Sequence, residues 1–291
     1  MALNVPDSLN NMRYKLLPLI IPGLLCACSG GQKAPDAGAA ELLARSKTEL
    51  ESGNPELALQ LIDSLYHAYP SENELLKEGL VLRPQAMIVL SEQGIVKCDS
   101  AIAAAKAEIE LVRSRMRWVK EKGMVEGYWI DRNSYNAGFF NTTGIQARVS
   151  DIGQFYIVSS VNPGSGHTSV TVKGPDGSAS TPAVAYDGES NYRIGGGEVI
   201  TFSPEQSDTI GKYVAGHAGK AMSLSFNGKG RKSISLSSAQ TEGIANAYRL
   251  AAAMASGRDN DVERQRLERQ RQLARVQIQR LDSAATASPT K

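Results

Sequence analysis

Cysteine, histidine and aromatic residues are scarce in this 291-residue chain, with three Cys, three His and 6% Phe, Trp and Tyr. Three cysteines cannot build the dense disulfide framework of a small secreted scaffold, so the fold rests on packing. His67 has no second His, Cys or carboxylate at metal-ligand spacing, which leaves the sequence without a metal signature, and no cofactor motif takes its place. Charge of one sign is also lacking: the formal net charge is +2, so no global electrostatic partner is implied. Long apolar runs are confined to residues 16–25, too short to cross a bilayer as a helix, and no second run follows.

What is present begins at the N-terminus. Arg13 and Lys15 precede that apolar run, and small residues then lead to Cys28 within Leu25-Cys26-Ala27-Cys28. This order resembles the lipobox of bacterial lipoproteins. The resemblance implies a signal peptide over 1–27, with residues 1–11 upstream of the true start, and a lipid on Cys28. It also implies a membrane partner through that lipid and, because Ser29 replaces the Asp of inner-membrane retention, an outer-membrane, periplasm-facing location. Residues 28–40 are rich in Gly, Ala and Ser and read as a lipidated flexible tether. With Cys26 removed and Cys28 acylated, Cys98 stands alone and no intramolecular disulfide is expected in the mature chain.

The fold class expected is α+β: an N-terminal helical hairpin and long coiled-coil-like helices with an inserted all-β module, either a sandwich or a small barrel. Residues 41–52 and 55–69 read as two helices around Gly53-Asn54, the second with Leu57, Ala58, Leu61, Ile62, Leu65 and Tyr66 on one face. The run GNPELALQLIDSLYHAYP resembles one tetratricopeptide unit of envelope assembly lipoproteins. Ile95, Cys98, Ile102, Ala105, Ile109, Val112, Met116 and Val119 then alternate steps of three and four, the spacing of a coiled-coil seam within a helical region over 41–122. Cys98 is read as a small apolar seam residue.

Residues 123–237 change to Gly, Ser, Thr, Val and Tyr with turn signals such as Asn162-Pro163-Gly164 and Asn227-Gly228. Strands are expected at 144–149, 155–161, 168–172, 183–186, 199–202, 222–226 and 233–236. Helical patterning returns at 241–255, is interrupted at Ser256-Gly257, and resumes over 261–281 with a stripe of Val262, Leu267, Leu273, Ala274, Val276, Ile278 and Leu281. The economical architecture packs 238–282 antiparallel on 91–122 and leaves 283–291 disordered. A second copy filling the 95–119 seam is the other option.

Motifs for chemistry are weak. Gly164-Ser165-Gly166 and Gly195-Gly196-Gly197 lack the lysine and the strand–loop–helix setting of a phosphate loop and read as turns. His167 and His217, with Ser165, Asp187 or Asp208 as partners, supply residue types for nucleophilic catalysis without a nucleophile elbow, so no catalytic residue is assigned. Tyr128, Trp129, Phe139 and Phe140 are the candidate binding residues, because aromatic rings offer flat apolar faces with a polar tip. The arginines of 263–281 form a basic helix whose plain reading is pairing with acids on an opposing helix; nucleic acid is not expected as a partner. Together these features suggest a non-enzymatic envelope scaffold or assembly lipoprotein with a protein partner. The alternative is a glycan- or peptide-binding lipoprotein that uses the β module.

Overall fold

The computed structural model describes residues 36–120 and 122–287, so Cys28, the signal segment and most of the expected tether lie outside the described residues. The part of the tether that is described is not coil: α1 (Ala37–Glu51) starts at once, with the Asp36 side chain accepting the Gly38 N–H at 2.8 Å as its N-cap. Gly53, at φ +81°, makes the turn that an L side chain resists, and Pro55 opens α2 (Pro55–Ala68) at a position where its missing N–H costs nothing. Ala39 and Leu43 of α1, Ile62 and Leu65 of α2, and Leu82 of α3 (Asn73–Arg113) share one small core. The first part of α3 therefore supports the hairpin.

The rest of α3 pairs with α5 (Ser238–Ala287). Ion pairs Arg249–Glu108, Arg264–Asp99 and Arg275–Glu92 fix an antiparallel register. Exposed pairs of this kind each contribute little, about 0.2–1 kcal/mol. The attachment comes from the buried seam of Cys98, Ala105 and Val112 against Ala253, Leu267 and Ala274. Gly94 faces Leu267 so closely that an added Cβ would stand 2.7 Å from its Cδ1. A second copy would have to displace α5 to reach this seam.

Three readings of these helices are corrected. The seam is helical only to Val112: α3 ends at Arg113, and Met116 and Val119 belong to β1 (Met116–Val119). Strand residues three apart point to opposite faces, and Met116 joins the main core while Val119 joins a separate cluster across the sheet. Their spacing only imitates a heptad. Next, Ser256-Gly257 does not interrupt α5, because Gly257 lies beside Ala105, where the helices approach, and the helical ladder runs through it. Lastly, residues 283–287 are helical; within the expected stripe Val262 and Leu273 are 64% and 67% exposed, whereas Leu267 and Ala274 are buried. No helix of the described residues is long and apolar enough to cross a membrane.

The β module begins at β1, before residue 123. It continues with β2 (Tyr128–Asp131), β3 (Gly144–Ser150), β4 (Phe155–Val161), β5 (His167–Gly174), β6 (Gly177–Ser180), β7 (Asn191–Ile194), β8 (Gly197–Phe202), α4 (Pro204–Gly216), β9 (Met222–Gly228) and β10 (Lys232–Leu236). The strands form two open antiparallel sheets, ordered β1-β2-β3-β4-β8-β7 and β10-β9-β5-β6, rather than one closed barrel. Residues 183–186 are not a strand. Ile145, Ala147, Ile157 and Phe202 of the larger sheet pack with Val170, Val172, Leu224 and Phe226 of the smaller. Ile210 and Val214 of α4 and Ile244 and Leu250 of α5 complete that core. The chain is therefore α+β, with the β module between helices.

This packing separates two leucines that the sequence pattern treats alike. Leu267→Ala is expected to cost about 2–4 kcal/mol, as a cavity opens against Gly94, while Leu273→Ala stays within about 0.5 kcal/mol. Urea unfolding of the two variants checks this, and equal losses would refute the register.

Candidate functional site

A cleft of about 920 Å³ lies where the helical pair meets the β module. Ile102 and Ile109 of α3 and Met254 of α5 give it apolar walls, and the exposed Ile152 stands at its lip in the β3–β4 turn. The turn sits tightly on the helix: Gly153, at φ +81°, lies where a Cβ would be 2.8 Å from that of Met254, and Arg258 donates to the Ile152 carbonyl. Lys106, Arg113 and Arg258 are offset by Glu110, Asp151 and Asp261 around the rim. Arg113 also lies over the Trp129 ring at 4.8 Å, and its Nε is buried with no acceptor. Trp129 in turn contacts Trp118 at 5.3 Å between ring centroids, with Trp118 39% exposed. A large, mostly apolar concavity with a few polar groups is where a ligand or partner segment would sit.

The four aromatic residues singled out from the sequence do not act together. Tyr128 and Trp129 are successive residues of β2 and point to opposite faces of the sheet. Trp129 faces the cleft side, while Tyr128 is buried on the outer face with Val119 and Ile130. Phe139 is buried in a short 3-10 turn (Phe139–Asn141), and half-buried Phe140 packs against it at 5.8 Å. Neither pair projects into solvent. The structure instead brings Tyr128 and Phe140 together around Arg148, at 4.1 and 5.8 Å from their rings, a centre that sequence reasoning missed. Its signal was a charged residue inside the alternating run of 144–149.

His167 is the middle member of a buried polar chain in the β module. Its Nε2 lies 3.0 Å from Ser159 Oγ and its Nδ1 3.1 Å from Glu198 Oε2. The Glu198 carboxylate also accepts the backbone N–H groups of Ser165, Gly166 and His167. The Gly164-Ser165-Gly166 loop thus cradles an anion after all, but the anion is the chain's own. The order Ser–His–carboxylate has the reach of a hydrolytic relay, yet Ser159 is fully buried and it is Glu198 that lines a surface hollow with Arg193 and Lys229. The nucleophile end is sealed, and the bonds tie β4 and β8 of one sheet to β5 of the other. Burial lowers the His167 pKa below its ordinary 6.5, only partly opposed by Glu198. Burial pushes Glu198 upward, but the bonds from His167 and the loop N–H groups outweigh it and hold the carboxyl below its ordinary range.

The other residues considered for chemistry are occupied elsewhere. Asp187 accepts the backbone N–H groups of Glu189, Ser190 and Asn191, and Asp208 accepts the Tyr248 hydroxyl. His217 donates Nδ1–H to the Tyr213 carbonyl, and His67 is exposed on α2. Gly195 and Gly196, both at positive φ, form the β7–β8 turn. Arg264, Arg271 and Arg275 reach Asp99 and Glu92 on α3, and Cys98 is buried in the seam. Among the described residues no group of three His, Cys, Asp or Glu is placed to hold a metal ion.

The relay predicts a pH dependence. As pH falls below 6.5 the unfolded chain takes up a proton that folded His167 resists, so stability falls with a slope of at most about 1.4 kcal/mol per pH unit. The Glu198 contribution persists until pH falls below the ordinary carboxylate range. His167→Gln should flatten the first of these slopes in urea titrations between pH 7.5 and 5.5; an unchanged slope would count against the assignment. Comparison with protein-family models, curated proteins and solved structures found no match.

Proposed function

We propose that the protein is a non-enzymatic cell-envelope lipoprotein, held in the outer membrane by a lipid on Cys28 and facing the periplasm, that scaffolds or assembles another envelope component. The observation that carries this reading is the cleft at the junction of the helical pair and the β module. There an apolar wall, a balanced charged rim and the free Nε donor of Arg113 offer a partner segment both area and one buried polar anchor. The helical arm supports the same reading, because a 41-residue α3 extends about 60 Å and separates the hairpin end from the cleft. The sealed Ser159 supports a role without covalent chemistry.

A glycan- or peptide-binding lipoprotein is the second reading, favoured by the Trp118–Trp129 pair, which shows one ring to solvent.

Two measurements test the leading reading. Cys28→Ser should move the protein from the membrane to the soluble fraction and abolish labelling by a fatty-acid probe; retention of both would refute the anchor. A photo-crosslinking residue at Ile152 in intact cells should capture one envelope protein stoichiometrically, and Arg113→Glu should lower that capture at least tenfold. Adducts with the protein itself alone, or none, would refute the scaffold reading. Capture of glycan or peptide, lost in Trp118→Ala, would replace it with the second.

A further inference from the structure

On the outer face of the larger sheet, away from the junction cleft, Arg148 and Gln146 lie two residues apart on β3 and so share one side of it. They are 7% and 3% exposed. Arg148 Nη2 donates to Gln146 Oε1 at 2.9 Å, which commits the amide oxygen and turns the amide nitrogen the other way. Two buried donors are left without an acceptor, Arg148 Nε and Gln146 Nε2. The guanidinium lies on the Tyr128 ring, and Tyr156, its cross-strand neighbour on β4, also faces it. Burial raises the Tyr156 pKa, and Arg148 opposes that rise by its charge and by a side-chain hydrogen bond to the phenol, so it is the Nε edge of the guanidinium that stays without a partner. Glu126 is the acid whose charge reaches Tyr156, but among the described residues no carboxylate pairs with Arg148. A buried cation normally has a counter-ion, and buried donors normally have acceptors.

We propose that this face binds a small carboxylate ligand, received by Arg148 and Gln146 and bordered by the rings of Tyr128 and Phe140. A guanidinium stacked flat on a ring leaves its edge for the ligand. An edge donor and an amide donor beside it can each hold one oxygen of the same anion, which an oxyanion supplies and a one-centre halide does not; the apolar border of the site is what favours a carboxylate carrying an organic substituent. The half-buried Phe140 ring, 5.8 Å from the guanidinium, gives an aromatic or aliphatic substituent something to rest on. This site does not depend on the envelope reading.

The test uses the full chain at constant ionic strength with benzoate, acetate, sulfate and chloride as probes. Benzoate at high concentration should raise the melting temperature by several degrees, acetate by less, and sulfate and chloride by no more than the buffer salt. Arg148→Met should lose that response while remaining folded without ligand, because it removes an unpaired buried charge. Gln146→Leu keeps the cation and should weaken benzoate at least tenfold. In crystals of the unaltered protein soaked with 4-bromobenzoate, the carboxylate should refine within hydrogen-bond distance of Arg148 Nε and Gln146 Nε2. An equal benzoate response in Arg148→Met, a response to sulfate but not to carboxylates, or density for water only at these donors would overturn the proposal.

Discussion

The antiparallel contact between α3 and α5 is the constraint on which the rest of the molecule depends. Its seam is built from small residues, Gly94, Cys98, Ala105, Ala253 and Ala274, with Leu267 filling the space left by Gly94. Close helices gain dispersion contacts along their whole length, while the ion pairs outside set direction more than strength. Because α3 continues past the seam under the hairpin and α5 begins in the core of the β module, this one interface joins the hairpin to the β module.

The β module is organised by α5 and by the bonds between its sheets. Ile244, Ala247 and Leu250 on the first turns of α5 lie in the same core as strands from both sheets, so the helix acts as a wall of the module before it becomes half of the arm. His167, Ser159 and Glu198 cross the gap between the sheets with hydrogen bonds, the one to the Glu198 carboxylate charge-assisted, that leave little room for a slip in register. The arrangement that would suit a hydrolase therefore acts as a clasp, since its hydroxyl has no path to solvent. The surfaces proposed for binding, the cleft at the junction and the outer face around Arg148, lie apart from this clasp.

Periodic features were readable where one physical requirement governed them. The edges of β4, residues 155–161, and the positions of β3, β5, β8, β9 and β10 followed from alternation and turn residues; the hairpin followed from Gly53 and Pro55. The four-residue strands β2, β6 and β7 are too short to set up a period. Helix α4 was missed although Ser203-Pro204-Glu205-Gln206 carries its N-terminal signature, a capping box the structure completes with both hydrogen bonds. Met116 and Val119 were misread because a strand can bury residues three apart on opposite faces. Gly257 was misread because glycine in a helix marks close approach as well as termination.

By itself the sequence determined the fold class, the position of several strands and the existence of a seam that needs a partner, since each follows from local spacing of apolar side chains. It also carried the resemblance to a lipobox, which is a matter of order along the chain. Only the tertiary structure decided that α5 fills the seam, that His167 meets Ser159 and Glu198 rather than Ser165, Asp187 or Asp208, and that Tyr128 and Phe140 converge on Arg148 while Trp129 turns away. Those contacts join residues far apart in the chain, and their partners are selected by sheet register and helix approach, which no local pattern of side chains encodes.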